Sequence, residues 1–330
     1  MANIYIHIGL NKTGTSSIQD FFSMNDAVLA QEGYVYPKAG RDSAAHHPLS
    51  ALLKRTPANV ELKTTEMGKQ LLEEIANARN VVLSSEDLHT LDARKIGLLG
   101  QLFQGHSVRI FLYVREHLGY LSSWYQQNIQ ASHLSCAFDT FCYFTKAPLH
   151  IIADRWANEF GHDRIVCRVY DRSQLFGGDI VADFTKLIGI DAAATHYTRK
   201  PYESNPSVAG NLLYVKRLLN NFLSKPEAMQ LGDQVTALSQ MDKRYRAPMY
   251  IDKDIVAYVS GMYSGDREKL LQRYGLAIKP VQGAREGSAT PDFAALANDW
   301  RAIQAEAAKR GFSFARYMDV IKLGDLSKLG

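Results

Sequence analysis

Cysteine is scarce. Only Cys136, Cys142 and Cys167 occur in 330 residues. An odd count with no Cys-x-x-Cys pair supplies neither a disulfide framework nor a thiolate zinc site, and it points to a reducing compartment. Long apolar runs are missing too. No stretch approaches the roughly 18–20 residues that a membrane-spanning helix needs. The sequence does not open with a charged segment followed by an apolar one, so no secretory signal is expected and the expected compartment is the cytoplasm. Long tracts of one charge sign are also absent. Against 38 Lys and Arg stand 34 Asp and Glu, a net charge of +4. That balance suits a small anionic ligand and lacks the basic tract of a nucleic-acid-binding chain. His, Cys, Asp and Glu nowhere cluster at metal-ligand spacing, so no metal is expected. There is no internal repeat and no low-complexity segment.

What the sequence does have is an ordinary globular composition, with 46% apolar and 22% charged residues. Four short runs read as strands: Ile4 to Ile8, Asn80 to Leu83, Val108 to Val114 and Arg164 to Val169. They are nearly continuous in apolar residues, as expected of a parallel sheet buried on both faces. Helical periodicity separates them. It runs from Ile18 to Leu29, over 66–78, from Leu118 to Ile129, and from Ile180 to Ile188. Strand and helix alternating in this way implies an α/β core with a mostly parallel central sheet between helical layers. The last third reads differently. Residues 206–224 form one expected helix, with Asn205 as cap and Pro206 in the first turn. A second helix is expected over 251–275, a loop over 281–291 and a last helix over 292–311. The expected division is an α/β core over 1–200 and a mainly helical region over 201–330, either a lid or part of the same domain.

The first strand runs into Gly9-Leu10-Asn11-Lys12-Thr13-Gly14-Thr15-Ser16-Ser17. A strand, a short polar loop and a helix N-terminus together favour an anion, because the first helical amides lack partners and carry partial positive charge. Lys12 adds a full charge, and Thr13, Thr15, Ser16 and Ser17 add hydroxyls. Gly9 and Gly14 have the spacing of a Walker A loop, but Thr15 stands where that motif requires Lys. The Lys comes two residues before the second Gly instead. The order Lys-Thr-Gly-Thr-Ser resembles the 5′-phosphosulfate loop of sulfotransferases. A second element follows. Arg115 comes directly after the third expected strand, and Ser123 lies eight residues on, followed by Trp124 and Tyr125. Sulfotransferases carry an Arg and a Ser at this spacing to hold the donor's 3′-phosphate, though they often have Pro where His117 stands. Taking about 100° per residue, Leu118, Leu121, Tyr125 and Ile129 share one helix face and Ser123 points away from it.

The resemblance covers roughly residues 3–190. It implies a P-loop-like core, 3′-phosphoadenosine 5′-phosphosulfate (PAPS) as donor and no metal. The implied donor-binding residues are Lys12, Thr13, Gly14, Thr15, Ser16, Ser17, Arg115 and Ser123. The implied partners are this nucleotide and a glycan, glycolipid or small-metabolite acceptor, without nucleic acid or an integral membrane segment. Lys12 would steady the leaving group. Glu86, in Ser84-Ser85-Glu86-Asp87 after the second expected strand and 29 residues before Arg115, is the expected general base. Its alternatives are His46 and His47, in an expected loop within reach of substrate, and His89. Ser84 or Ser85 capping a short helix is the plain reading of the same stretch. Arg199 and Lys200 are weaker candidates for the nucleotide, and Arg168 either approaches it or pairs with a buried acid. Two other classes stay open: a nucleotide kinase or NTPase, and a glycan- or nucleotide-binding protein without catalysis.

Overall fold

The structure, a computed structural model, describes residues 1–57, 59–200 and 207–321. The chain divides into two compact units. The first comprises Met1–Glu116, Pro148–Glu203 and Tyr263–Lys279; the second comprises His117–Ala147, Ser204–Met262 and Pro280–Gly330.

The first unit is built on five parallel strands. These are β1 (Asn3–His7), β2 (Tyr34–Val35), β3 (Asn80–Ser84), β4 (Ser107–Val114) and β5 (Ile165–Val169), in the order β2-β3-β1-β4-β5. β1 is central, with Ile4 opposite Val81 on one side and Val108 on the other. Side chains alternate along a strand. Ile4, Ile6 and Ile8 are therefore buried on one face, and Tyr5 and His7 on the other. Over the Tyr5 face, the helices Thr15–Met24 and Ile180–Leu187 pack together, and Phe21, Phe22 and Phe184 join Val82, Phe111 and Tyr113 in one cluster. The helices Ala93–Leu102 and Leu149–Phe160 also pack on each other, the second against β4 and β5 with Trp156 fully buried. The expected α/β core with a parallel sheet is the architecture found.

The helix Ser264–Tyr274 belongs to this first unit. Asp266 accepts hydrogen bonds from the backbone amides of Leu149 (3.2 Å) and His150 (3.0 Å) and pairs with the His150 ring. A carboxylate at a helix N-terminus is favourable both as acceptor and as charge. In the second unit, the helix Gly210–Leu219 packs against His117–Ala131 and Phe293–Lys309. Lys216 is fully buried there. Its ammonium donates to Ile129 O at 3.1 Å, and Asn220 Nδ2 donates to Ile129 O and Leu134 O, so the two residues close the carbonyl end of His117–Ala131. Among the described residues, no helix is long and apolar enough to cross a membrane.

Several expected boundaries move. The helix after β1 breaks at Asn25 into Thr15–Met24 and Asp26–Gln31. The Asn25 amide donates to Phe21 O and Thr198 O and accepts from Thr198 N, so its side chain competes with the helical ladder. The helix expected over 206–224 spans Gly210–Leu219, and its expected cap and first-turn residues, Asn205 and Pro206, lie outside the described residues. Val208 and Ala209 are not helical. Their backbone groups bond instead to Gln126 Nε2 and Tyr245 O. The helix expected over 251–275 is two, Lys253–Met262 and Ser264–Tyr274, which fall in different units. His47 and Pro48 are not in a loop. They open the helix His47–Arg55, where proline suits the first turn.

Candidate active site

In a parallel sheet all strands end on the same edge, and open α/β sheets bind ligands there. The loop after β1 lies on that edge. Ile8 N donates to Phe111 O of β4, and the chain then turns through Gly9 and Gly14, with φ of +61° and +77°. Both must be glycine. A Cβ on Gly9 would stand 2.8 Å from Thr15 Cγ2 and 3.0 Å from Glu86 Cβ, and one on Gly14 would stand 2.9 Å from the Tyr170 ring. Lys12, between them, also has a positive φ of +66°. For a residue with a side chain this costs on the order of 1–3 kcal/mol and concentrates at functional loops.

The Thr13 hydroxyl is spent within the loop. It donates to Leu10 O at 2.7 Å and receives Leu10 N at 3.3 Å, and the residue is fully buried. Gly14 is the N-cap of Thr15–Met24 and offers no side chain to the first amides. Thr15 is buried, Ser17 half-buried and Ser16 exposed. Burial pushes the Lys12 ammonium below its ordinary pKa, and the Arg115 guanidinium adds to the effect. Two cations are thus held close enough to repel, one of them partly desolvated. A polyanion would relieve that cost.

Glu86 begins the short helix Glu86–Thr90, which Ser85 caps by accepting Asp87 N at 3.3 Å. The capping reading of this stretch therefore holds for Ser85, and Glu86 lies against the loop. Glu86 Oε2 accepts from Gln19 Nε2 at 2.7 Å, and the side chain is 21% exposed. Gln19 is a neighbour of Glu86 that was not among the residues expected at the site. Its signal was a polar residue beside Ile18 on a buried helix face, one turn beyond Thr15.

The three histidine alternatives separate clearly. His46 is buried, not in a solvated loop. Its Nε2 donates to Pro37 O at 3.0 Å, its Nδ1 accepts Ser84 N at 3.2 Å, and burial pushes its pKa down to about 4. His89 is turned onto its own helix, with Nδ1 against Glu86 O, and burial lowers its pKa. His47 is 41% exposed, with Nε2 3.9 Å from Glu86 Oε1.

Arg115 follows β4, its guanidinium 6.0 Å from the Tyr170 ring centroid. Lys12, Gly14, Glu86, Arg115 and Tyr170 therefore meet at the carboxyl edge of one sheet. Ser123 lies on His117–Ala131, in the second unit. That helix buries more than one stripe: Tyr120, Ser122, Ser123 and Gln126 are buried along with Leu118, Leu121, Tyr125 and Ile129, and Ser123 is 4% exposed. The expected outward-facing Ser123 is thus corrected to a buried one. Arg168 pairs with buried Asp183, at 2.5 Å from Nη2 and 3.1 Å from Nε, and Tyr113 and Phe176 N complete that carboxylate's partners. Arg199 and Lys200 pair with Asp179 (2.6 Å) and Asp20 (2.9 Å). Among the described residues, no group of three or more His, Cys, Asp or Glu side chains is placed to hold a metal ion.

No protein-family model matches the chain. An uncharacterized protein of Archaeoglobus fulgidus is 25% identical over 173 residues. That match covers 50% of this chain and 44% of the archaeal protein, less than half of its length. The chain is also similar to the crystal structure of a sulfotransferase from Alicyclobacillus acidocaldarius. The identity there is 12% and the TM-score 0.44, over 84% of this chain and 97% of the other.

Proposed function

We propose that the chain is a sulfotransferase that moves a sulfuryl group from PAPS to a hydroxyl of a carbohydrate or glycolipid. One observation carries the proposal. Lys12 precedes the second loop glycine by two residues, in a left-handed conformation, with its charge made costly by burial and by Arg115. That arrangement suits a ligand with several negative charges, and the order of residues follows the phosphosulfate loop that Lys12 to Ser17 resemble.

In this reading the acceptor oxygen attacks sulfur in line. The new O–S bond forms as the bond between sulfur and the 5′-phosphate oxygen breaks, and the electron pair leaves with the phosphate. Charge on the leaving group is met by Lys12 and the amides at the start of Thr15–Met24. Glu86 takes the acceptor's proton, and Gln19 holds one of its oxygens in place. By the same resemblance, Arg115 takes the 3′-phosphate. Positioning and charge do most of the work in transfers of this kind.

Two variants test it. Nucleotide release from PAPS is followed with water and a glycan panel as acceptors, and adenosine 3′,5′-bisphosphate affinity is measured alongside. Glu86→Gln should lower turnover by about 10²–10⁴-fold and leave affinity unchanged. Lys12→Ala should lower both. Normal turnover by Glu86→Gln would remove Glu86 as the base, and normal turnover by Lys12→Ala would remove the whole reading.

A further inference from the structure

We infer that His47 and Glu86 form a proton relay in which Asp87 sets the His47 tautomer; the inference rests on the sulfuryl-transfer reading of the site. His47 is the first residue of His47–Arg55, and the residue before it is locked in place. His46 N donates to Ser84 O at 2.8 Å, and Ser84 N donates back to the His46 ring. This lock sets His47 opposite Ser85, with Nδ1 2.9 Å from Ser85 Oγ. Asp87 Oδ2 lies 3.5 Å from the same nitrogen, and Glu86 Oε1 lies 3.9 Å from Nε2. One ring thus stands between two carboxylates, one facing each nitrogen.

The carboxylates weigh the tautomer. Ser85 Oγ, 2.9 Å from Nδ1, accepts from a protonated Nδ1 or donates to a bare one, so it fits either form. A proton on Nδ1 has the nearer carboxylate, Asp87, at 3.5 Å. A proton on Nε2 would have only Glu86 Oε1 at 3.9 Å, beyond a hydrogen bond, and would set the Nδ1 lone pair toward the Asp87 charge. Nδ1–H is therefore the resting form, and the Nε2 lone pair faces Glu86. The other Glu86 oxygen is held by Gln19, so Oε1 is the one left toward the imidazole. An acidic residue that fixes an imidazole's tautomer so that its far nitrogen can take a proton is an arrangement known from hydrolytic triads.

The relay balances. The acceptor's proton passes to the Glu86 carboxylate as the O–S bond forms. It then moves to His47 Nε2 through a small carboxylate rotation or one water, and the exposed ring returns a proton to solvent. Glu86 is regenerated without leaving its contact with Gln19. His47 acts through Glu86 and touches no reacting atom.

Long-range ¹H–¹⁵N spectra of the labelled full chain at about pH 8, where an ordinary imidazole is neutral, read the tautomer directly. Nδ1–H is expected in the wild type, with Asp87→Asn shifting the ring toward Nε2–H. His47→Gln keeps a hydrogen bond to Ser85 but cannot relay a proton. It should slow sulfate release from PAPS, with water as acceptor, by about tenfold or more, with adenosine 3′,5′-bisphosphate affinity within about twofold of wild type. An Nε2–H wild-type ring, or wild-type turnover by His47→Gln, overturns the relay. A wild-type chain that does not bind the bisphosphate overturns the sulfuryl-transfer reading instead, and the tautomer still decides the geometry.

Discussion

Acid should loosen the first unit through two histidines beneath the site. His7 is fully buried on β1, with Nδ1 2.7 Å from Ser84 Oγ and its ring packed on Tyr113 and Phe184. Burial pushes its pKa down from 6.5 to about 3, and that of His46 to about 4. A folded value below the unfolded one means that the unfolded chain binds more protons in between. The stability is therefore whole above about pH 6.5 and is lost as pH falls toward those folded values. Between pH 7 and 5 an unfolded histidine gains about 1.4 pK units of proton binding, and the folded ones gain almost none. At about 1.36 kcal/mol per unit, each residue costs ~1.9 kcal/mol, close to 4 kcal/mol together. That is a large part of a typical domain's stability of roughly 5–15 kcal/mol. The assay is urea unfolding at the two pH values, read from buried Trp156 in a background with Trp124→Phe and Trp300→Phe. His7→Gln should shrink the difference between the two pH values by ~1.9 kcal/mol, whatever its stability at pH 7. An unchanged difference would mean that burial does not hold His7 neutral in the folded chain.

Other outcomes follow from the same contacts. Gly9→Ala places a methyl 2.8 Å from Thr15 Cγ2 at a positive φ; it should cost on the order of 1–3 kcal/mol in calorimetry and weaken nucleotide binding with it. Asp183→Asn removes the charge that Arg168, Tyr113 and Phe176 N converge on. Arg168 is about a third exposed, so the loss should sit at the low end for a broken buried pair, about 3 kcal/mol, visible as a lowered Tm.

Most of the sheet was legible because its strands are continuous apolar runs. Ile4 to Ile8 and Ile110 to Val114 are buried on both faces of the sheet. The two-residue strand β2 carries too short a pattern to read. The loop was legible because Lys, Gly and Ser or Thr combine there directly after a strand. Less legible was anything fixed by partners distant in sequence. Asn25 breaks a helix because Thr198 takes its amide. His46 is a core residue because Pro37 and Ser84 satisfy both ring nitrogens. Arg168 found its acid fifteen residues on, at Asp183, and Gln19 its acceptor at Glu86. Ser123 fell off the apolar stripe by helical angle, yet most of that helix's circumference is buried.

In the proposed function the Lys12 loop and Arg115 hold a 3′-phosphorylated nucleotide. Calorimetric titration of the wild-type chain with adenosine 3′,5′-bisphosphate, and separately with ATP plus Mg²⁺, tests it most directly. Saturable binding of the bisphosphate is expected, without need of Mg²⁺ and lost in Lys12→Ala. Binding of Mg²⁺-ATP alone, with none of the bisphosphate, would contradict it and leave a nucleotide kinase or NTPase in its place.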